Sequence, residues 1–161
     1  MSTDRRQLNI THAGSPTVAP RTMYDERFLV PMRRDLTEVG FTELRTADEV
    51  DEALQKPGTA MVLVNSVCGC SARMARPAAR IAVTNARKPE HLYTVFAGQD
   101  ADATAQARSY FTGYAPSSPS MAIMRDGKLV WMMERWQIEG RPAEEIAEEL
   151  VAAFEQHCAR D

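Results

Sequence analysis

The chain has 161 residues, of which 44% are hydrophobic and 25% charged, and its 19 basic and 22 acidic residues give a formal net charge of −3. This composition is typical of a globular domain with its own core and excludes disorder along the whole chain. The charge excludes an overall basic field for nucleic acid. The longest apolar run, Ala60–Val64, is far too short for a membrane span of ~20 residues, so we expect partners that are neither nucleic acid nor membrane.

The first 22 residues differ from the rest of the chain. They contain glycine and two prolines without a sustained apolar period, which predicts a flexible tail over 1–22 and a single domain over 23–161. Over 24–39, apolar residues recur at steps of three and four residues. This spacing predicts a helix, which Pro31 either kinks or begins.

Strands and helices alternate after this first helix. In chain order, the predicted elements are strand 41–45, helix 46–55, strand 59–64, helix 71–86, strand 91–97 and helix 100–111. Asp126-Gly127 predicts a hairpin between strands 121–124 and 128–133, and a last helix begins near Pro142. Alternation implies parallel strands, and the hairpin adds antiparallel ones. The predicted fold is therefore α/β, a mixed central sheet with helices on both faces.

The cysteines are few and odd in number: Cys68, Cys70 and Cys158. This count does not fit the disulfide scaffold of a secreted domain. The first residues also lack the apolar stretch of a secretory signal. We therefore expect a cytoplasmic protein, in which neighbouring cysteines are catalytic or bind metal.

Cys68 and Cys70 lie between a predicted buried strand and a predicted helix. A helix N-terminus carries partial positive charge and free N–H groups, and both favour the reactive thiolate. Arg73 and Arg76 follow within two turns and add positive potential if they face the same way. Gly69 permits a tight bend and the approach of a substrate sulfur. This pattern predicts one thiol that attacks a mixed disulfide and a neighbour that resolves the adduct.

A metal-binding or metal-delivery module is the main alternative for the same two thiolates. Thiolates two residues apart bind zinc or cuprous copper, but a closed zinc site needs about four ligands. Besides carboxylates, the further candidates are Cys158, His157, His91 and His12. A third possibility is that both cysteines are ordinary small core residues.

Several segments together resemble the bacilliredoxins, bacterial proteins with a Cys-Gly-Cys active site. The resemblance covers roughly 24–158 and rests on segments 65–70, 75–78, 96–100, 110–113, 117–121 and 138–140. It implies a thioredoxin-like three-layer sandwich that acts as a thiol-disulfide oxidoreductase, with weak disulfide isomerase activity. Its implied substrates are client proteins in mixed disulfide with bacillithiol, a low-molecular-weight thiol of some bacteria. Bacillithiol is then a substrate, and no organic cofactor is required.

The resemblance also implies roles for individual residues. Cys68 matches the attacking cysteine and Cys70 its partner. Pro119 matches a proline with a cis peptide bond beside the active site, so Ser118 would offer its backbone to a substrate chain. We include Arg73 and Arg76 among the expected substrate-binding residues. The resemblance extends to a cysteine near Cys158, for which an inert thiol, a second resolving thiol and a metal ligand all remain open.

Overall fold

The computed structural model describes residues 23–158, so the predicted tail over 1–22 lies outside the described residues. At its centre is one sheet, whose strands are β1 (Thr42–Glu43), β2 (Thr59–Asn65), β3 (His91–Phe96), β4 (Ser120–Arg125) and β5 (Lys128–Met133). The strand order is β1-β3-β2-β4-β5. Strands β1 and β2 run parallel to β3, whereas β4 runs antiparallel to both β2 and β5. The predicted mixed sheet is confirmed.

Helices cover both faces of this sheet. They are α1 (Glu26–Thr37), α2 (Ala47–Leu54), α3 (Arg76–Ala82), α4 (Ala101–Ser109), α5 (Arg135–Ile138) and α6 (Ala143–His157). Alternate residues of β2 point to opposite faces: Met61 and Leu63 join the core under α3 and α6, whereas Val62 and Val64 join the core under α2 and α4. The three layers agree with the prediction, although the short α5 was not predicted. No helix within residues 23–158 is long and apolar enough to cross a membrane.

Local signals place these elements largely as expected. The Thr46 hydroxyl accepts the Glu49 N–H, and the Glu49 carboxylate accepts the N–H of Arg45, so side-chain caps open α2 at the start of the predicted helix 46–55. Asp126 and Gly127 have φ angles of 51° and 77°, as a tight hairpin requires. Pro31 lies inside α1, which is already capped by Asp25, and therefore does not begin that helix.

A buried ion network holds α1 against the sheet. The Arg33 side chain is 8% exposed and donates to Glu26 at 2.6 Å and to Glu43 and Asp100 at 2.9 Å. Its guanidinium also lies 5.1 Å from the centre of the Phe96 ring. Burial opposes the charge, but the carboxylates outweigh it and raise the pKa of Arg33. The network therefore joins α1, β1 and the segment that follows β3.

We expect Arg33→Met to lower the free energy of unfolding by about 3 kcal/mol, because it removes the buried cation that three carboxylates share, although Glu26 and Asp100 keep Arg45 as a second partner. Urea denaturation followed by circular dichroism measures the change. The matched control is Arg27→Met, which removes a pair with Asp25 whose arginine is 89% exposed and should cost less than ~1 kcal/mol. Equal and small losses in the two variants would contradict a stabilising role for the buried network.

Candidate active site

Cys68 and Cys70 lie where β2 ends, in a segment that we call the thiol loop (Asn65–Cys70). Pairing of Val64 with Ser120 brings the segment before β4 alongside this loop. That segment, the proline loop (Gly113–Pro119), ends in a cis peptide bond between Ser118 and Pro119. The predicted cis bond is confirmed. The sheet thus brings the two cysteines, Ser118 and Pro119 to one edge.

The helix after the thiol loop starts with the cysteines. The carbonyl of Cys68 accepts the N–H groups of Ser71 and Ala72, both at 3.1 Å, so the helical backbone begins directly after Cys68, before the predicted start at residue 71. The next turn, 71–75, is a π-helix, in which the Arg76 N–H reaches the Ser71 carbonyl. Pro77 follows directly. A wider turn suits a proline, because its ring clashes with the carbonyl four residues earlier in an α-helix.

The backbone conformation of Gly69 differs from the tight bend that was expected. Its φ angle is not in the left-handed region, so the bend does not require a glycine. A Cβ atom placed there would meet nothing within 4 Å. Open space above Gly69 is therefore the feature that matters for an approaching substrate.

Two serine hydroxyls surround the sulfur of Cys68. Ser66 Oγ donates to Cys68 Sγ at 3.2 Å, and Ser71 Oγ lies 3.9 Å from the same sulfur. The two hydroxyl oxygens are 2.7 Å apart. Partial burial opposes ionisation, but the Ser66 hydroxyl and the N–H groups of Ser71 and Cys70 outweigh it and lower the pKa of Cys68. The predicted direction and the contribution of the helix N-terminus are confirmed, whereas the hydroxyls were not foreseen.

The two predicted arginines lie in different environments. Arg73 is exposed, and its contact with substrate stays a prediction. Arg76 is 3% exposed and donates to Asp35 at 3.1 Å and to the Asn65 side chain and Ser66 carbonyl at 2.9 Å. Its guanidinium is therefore hydrogen-bonded to acceptors within the domain. The expectation that Arg76 binds substrate is wrong, because the side chain lies beneath the thiol loop and positions it.

Sequence reasoning missed Arg135, the first residue of α5. Its backbone N–H donates to Ser117 Oγ at 3.4 Å, and its side-chain Nη1 donates to the Ser118 carbonyl at 3.3 Å. The ion pair with Glu139 raises the pKa of Arg135. The contact with Ser118 places the guanidinium beside the cis peptide bond, at the end of the sheet where the thiol loop lies. In this state the Ser118 carbonyl, expected to face a substrate chain, already accepts a hydrogen bond.

The cysteines separate into a pair and a distant third. Cys68 and Cys70 are both half-buried. Cys158 is buried at the end of α6, where burial raises its pKa despite a hydrogen bond with Thr59. Thr59 begins β2, and seven strand residues span about 20 Å. Cys158 is therefore at the opposite end of the sheet and too far away to resolve an adduct on Cys68.

The positions of the candidate ligands also test the metal-binding alternative. Within the described part of the chain, no group of three or more His, Cys, Asp or Glu side chains gathers around a possible ion. His12, one of the candidate ligands, lies outside the described residues. The thiol loop brings two of the candidate ligands together, fewer than the four that a closed zinc site needs.

Comparison with known proteins agrees with this geometry. A family described as disulphide isomerase matches residues 24–158. A bacilliredoxin of Koribacter versatilis is 55% identical over 137 residues, which are 84% of this chain and 94% of that protein. A bacilliredoxin of Geobacillus kaustophilus is 53% identical over 126 residues, 78% of this chain and 87% of that protein. These matches span nearly the whole length of both relatives.

Solved structures show the fold. An oxidoreductase described as having a thioredoxin fold superposes with a TM-score of 0.56 at 18% identity, covering 74% of this chain and 96% of that one. A thioredoxin variant from Halobacterium salinarum gives 0.53 at 13% identity, covering 76% and 95%. The predicted thioredoxin-like sandwich is confirmed.

We expect Ser66→Ala to raise the pKa of Cys68, because the thiolate loses its nearest hydroxyl donor. The rate of alkylation by iodoacetamide, measured from pH 5 to 10 in a Cys70→Ser background, should show a midpoint at higher pH and a several-fold lower rate at neutral pH. Ser109→Ala is the matched control, since that hydroxyl bonds the Gln106 carbonyl within α4. An unchanged midpoint in Ser66→Ala would show that the Ser66 hydroxyl does not lower the pKa of Cys68.

Proposed function

The chain belongs to the family described as disulphide isomerase and is more than 50% identical to bacilliredoxins, and from this likeness we propose that it reduces mixed disulfides between proteins and bacillithiol. It is a thiol-disulfide oxidoreductase with a thioredoxin-like fold. The client proteins and the identity of the small thiol are the proposed part. Bacillithiol serves as a substrate, and the reaction requires no organic cofactor. We place the reaction in the cytoplasm, where thiols are kept reduced.

The environment of Cys68 is the observation that supports the proposal. Cys68 is only half-buried, and its sulfur accepts the Ser66 hydroxyl at 3.2 Å. A second half-buried thiol, Cys70, follows two residues later. The thiolate is the nucleophile in disulfide exchange. Hydrogen bonds that lower the pKa of Cys68 increase the thiolate fraction at neutral pH. The site therefore combines an accessible nucleophile with a nearby thiol for the next step.

The first step transfers the small thiol to the enzyme. The Cys68 thiolate attacks the small-thiol sulfur of the mixed disulfide, and a bond forms between that sulfur and Cys68 Sγ. The bond to the client sulfur breaks, and the client cysteine leaves as a thiolate that takes a proton from solvent. No net oxidation occurs, because one disulfide replaces another.

The second step releases the small thiol. The Cys70 thiolate attacks Cys68 Sγ, which expels the small thiolate and leaves a Cys68–Cys70 disulfide. Alternatively, a second small thiol attacks the adduct and leaves as a symmetrical disulfide, which returns Cys68 to its reduced form. In the first route the disulfide ends within the enzyme, and in the second route it ends between two small thiols. In both routes the client cysteine is left reduced.

Disulfide isomerisation is a second candidate, which the description of the matched family favours. It uses the same first attack, but on a disulfide between two client cysteines. Refolding of a scrambled disulfide protein would measure it beside the reduction of mixed disulfides. Faster turnover in the refolding assay would rank isomerisation first.

We expect Cys70→Ser to accumulate a small-thiol adduct on Cys68 when it meets a bacillithiol-modified client, because attack remains and internal resolution is lost. Cys68→Ser should release no client thiol at all. Intact-protein mass spectrometry detects the adduct, and a free-thiol assay follows the client. An adduct on Cys70 in the Cys68→Ser variant would reverse the assignment of the two cysteines.

Cys158→Ser is the matched control, and it should reduce the client at the wild-type rate because Cys158 lies at the other end of β2. Metal analysis after anaerobic purification tests the remaining alternative. Stoichiometric zinc or copper that is lost in the Cys68→Ser variant, together with no client reduction by the wild type, would favour the metal-binding module.

A further inference from the structure

Two arginines from different elements meet at residues Ser117 and Ser118 of the proline loop. Arg108, near the end of α4, donates from Nη2 to the Ser117 carbonyl at 3.2 Å. Arg135, at the start of α5, donates to Ser117 Oγ and to the Ser118 carbonyl. Both cations therefore flank the peptide that borders the thiol loop.

Arg135 retains donors for a ligand. Its Nε pairs with Glu139 and its Nη1 with the Ser118 carbonyl, while Nη2 has no hydrogen-bond partner within residues 23–158. The side chains of Arg135 and Glu139 are 44% and 47% exposed. An exposed pair of this kind is worth ~1 kcal/mol or less, so a carboxylate on a substrate competes readily with Glu139. The other nearby acid, Glu134, already accepts the Trp136 indole N–H at 2.8 Å.

Arg108 supplies charge that the domain itself does not neutralise. No carboxylate of the described residues forms an ion pair with Arg108, and its buried Nε has no hydrogen-bond partner among them. A partly buried charge without a counter-ion is costly to the fold. Two guanidinium groups therefore contact the Ser117–Ser118 peptide, with the carboxylates of Glu139 and Glu134 as the opposing charges nearby.

We propose that Arg135, supported by the charge of Arg108, forms a subsite for a carboxylate group on the small-thiol half of the mixed disulfide. This inference rests on the proposed function and adds a substrate class to it: small thiols that carry carboxylates are preferred over neutral or cationic ones. Arg135 contacts the carboxylate, and the adjacent Cys68 meets the small-thiol sulfur, which is the sulfur attacked in the first step. Arg108 acts through the loop, as a positioning and electrostatic residue.

The test uses one client protein in mixed disulfide with each of three probes: mercaptosuccinate, which is anionic, 2-mercaptoethanol, which is neutral, and cysteamine, which is cationic. The measured quantity is the second-order rate constant for release of the client thiol in a single turnover of the reduced protein. Dividing each rate constant by the 2-mercaptoethanol value gives a ratio from which changes in Cys68 reactivity cancel. Arg135→Met should lower the ratio for mercaptosuccinate by roughly threefold to tenfold and raise the ratio for cysteamine. Glu139→Gln should shift both ratios in the opposite direction.

Arg87→Met is the matched control, because Arg87 pairs with Glu155 of α6, and it should change neither ratio. Added salt should weaken the mercaptosuccinate preference of the wild type. If Arg135→Met slows all three probes by the same factor, the subsite is overturned while the reductase activity stands. If the wild type turns over none of the probes, the proposed function itself fails.

Discussion

The buried guanidinium of Arg76 is the interaction on which the reactive edge depends. It joins three parts of the chain: Asp35 on α1, the Asn65 side chain at the end of β2, and the Ser66 carbonyl in the thiol loop. Asn65 extends this connection, since its oxygen also accepts the Ser66 N–H and its amide donates to the Met32 carbonyl. A cation is tolerated in this place because acceptors surround it. The direction of the Ser66 hydroxyl, and hence the reactivity of Cys68, follows from these buried bonds.

The electrostatics of the site divide between short and longer range. Close to Cys68, neutral hydroxyls and backbone N–H groups stabilise the thiolate, whereas the cations of Arg135 and Arg108 flank the neighbouring loop. Nucleophilicity falls as the pKa of a thiol falls, so the best attacking thiol has a pKa near the ambient pH. Hydroxyl donors lower the pKa without placing a full positive charge against the sulfur. This arrangement leaves Nη2 of Arg135 available for the proposed carboxylate group.

Local patterns predicted the sheet, the hairpin and the position of the two cysteines, because alternation, turn chemistry and caps are encoded within a few residues. Hydrogen bonds between residues far apart in the chain could not be predicted from such local patterns. Arg76 suggested an exposed cation, since arginines are mostly exposed, and only the meeting of residues 35, 65 and 76 shows that it is buried. The four residues of α5 are too few for an apolar period, which is why Arg135 was missed. Phe28 fitted the period of α1 but is 72% exposed, so a periodic pattern alone did not define the buried face.

The remote third cysteine has a consequence for the protein under oxidative stress. A thiol whose pKa is raised by burial is a poor nucleophile and a slow target for peroxides. Cys158 also lies about a strand's length from the other sulfurs, so it cannot capture an intermediate formed on Cys68. An internal disulfide is thereby restricted to the pairing of Cys68 with Cys70, and one two-electron reduction returns that oxidised form to the free thiols.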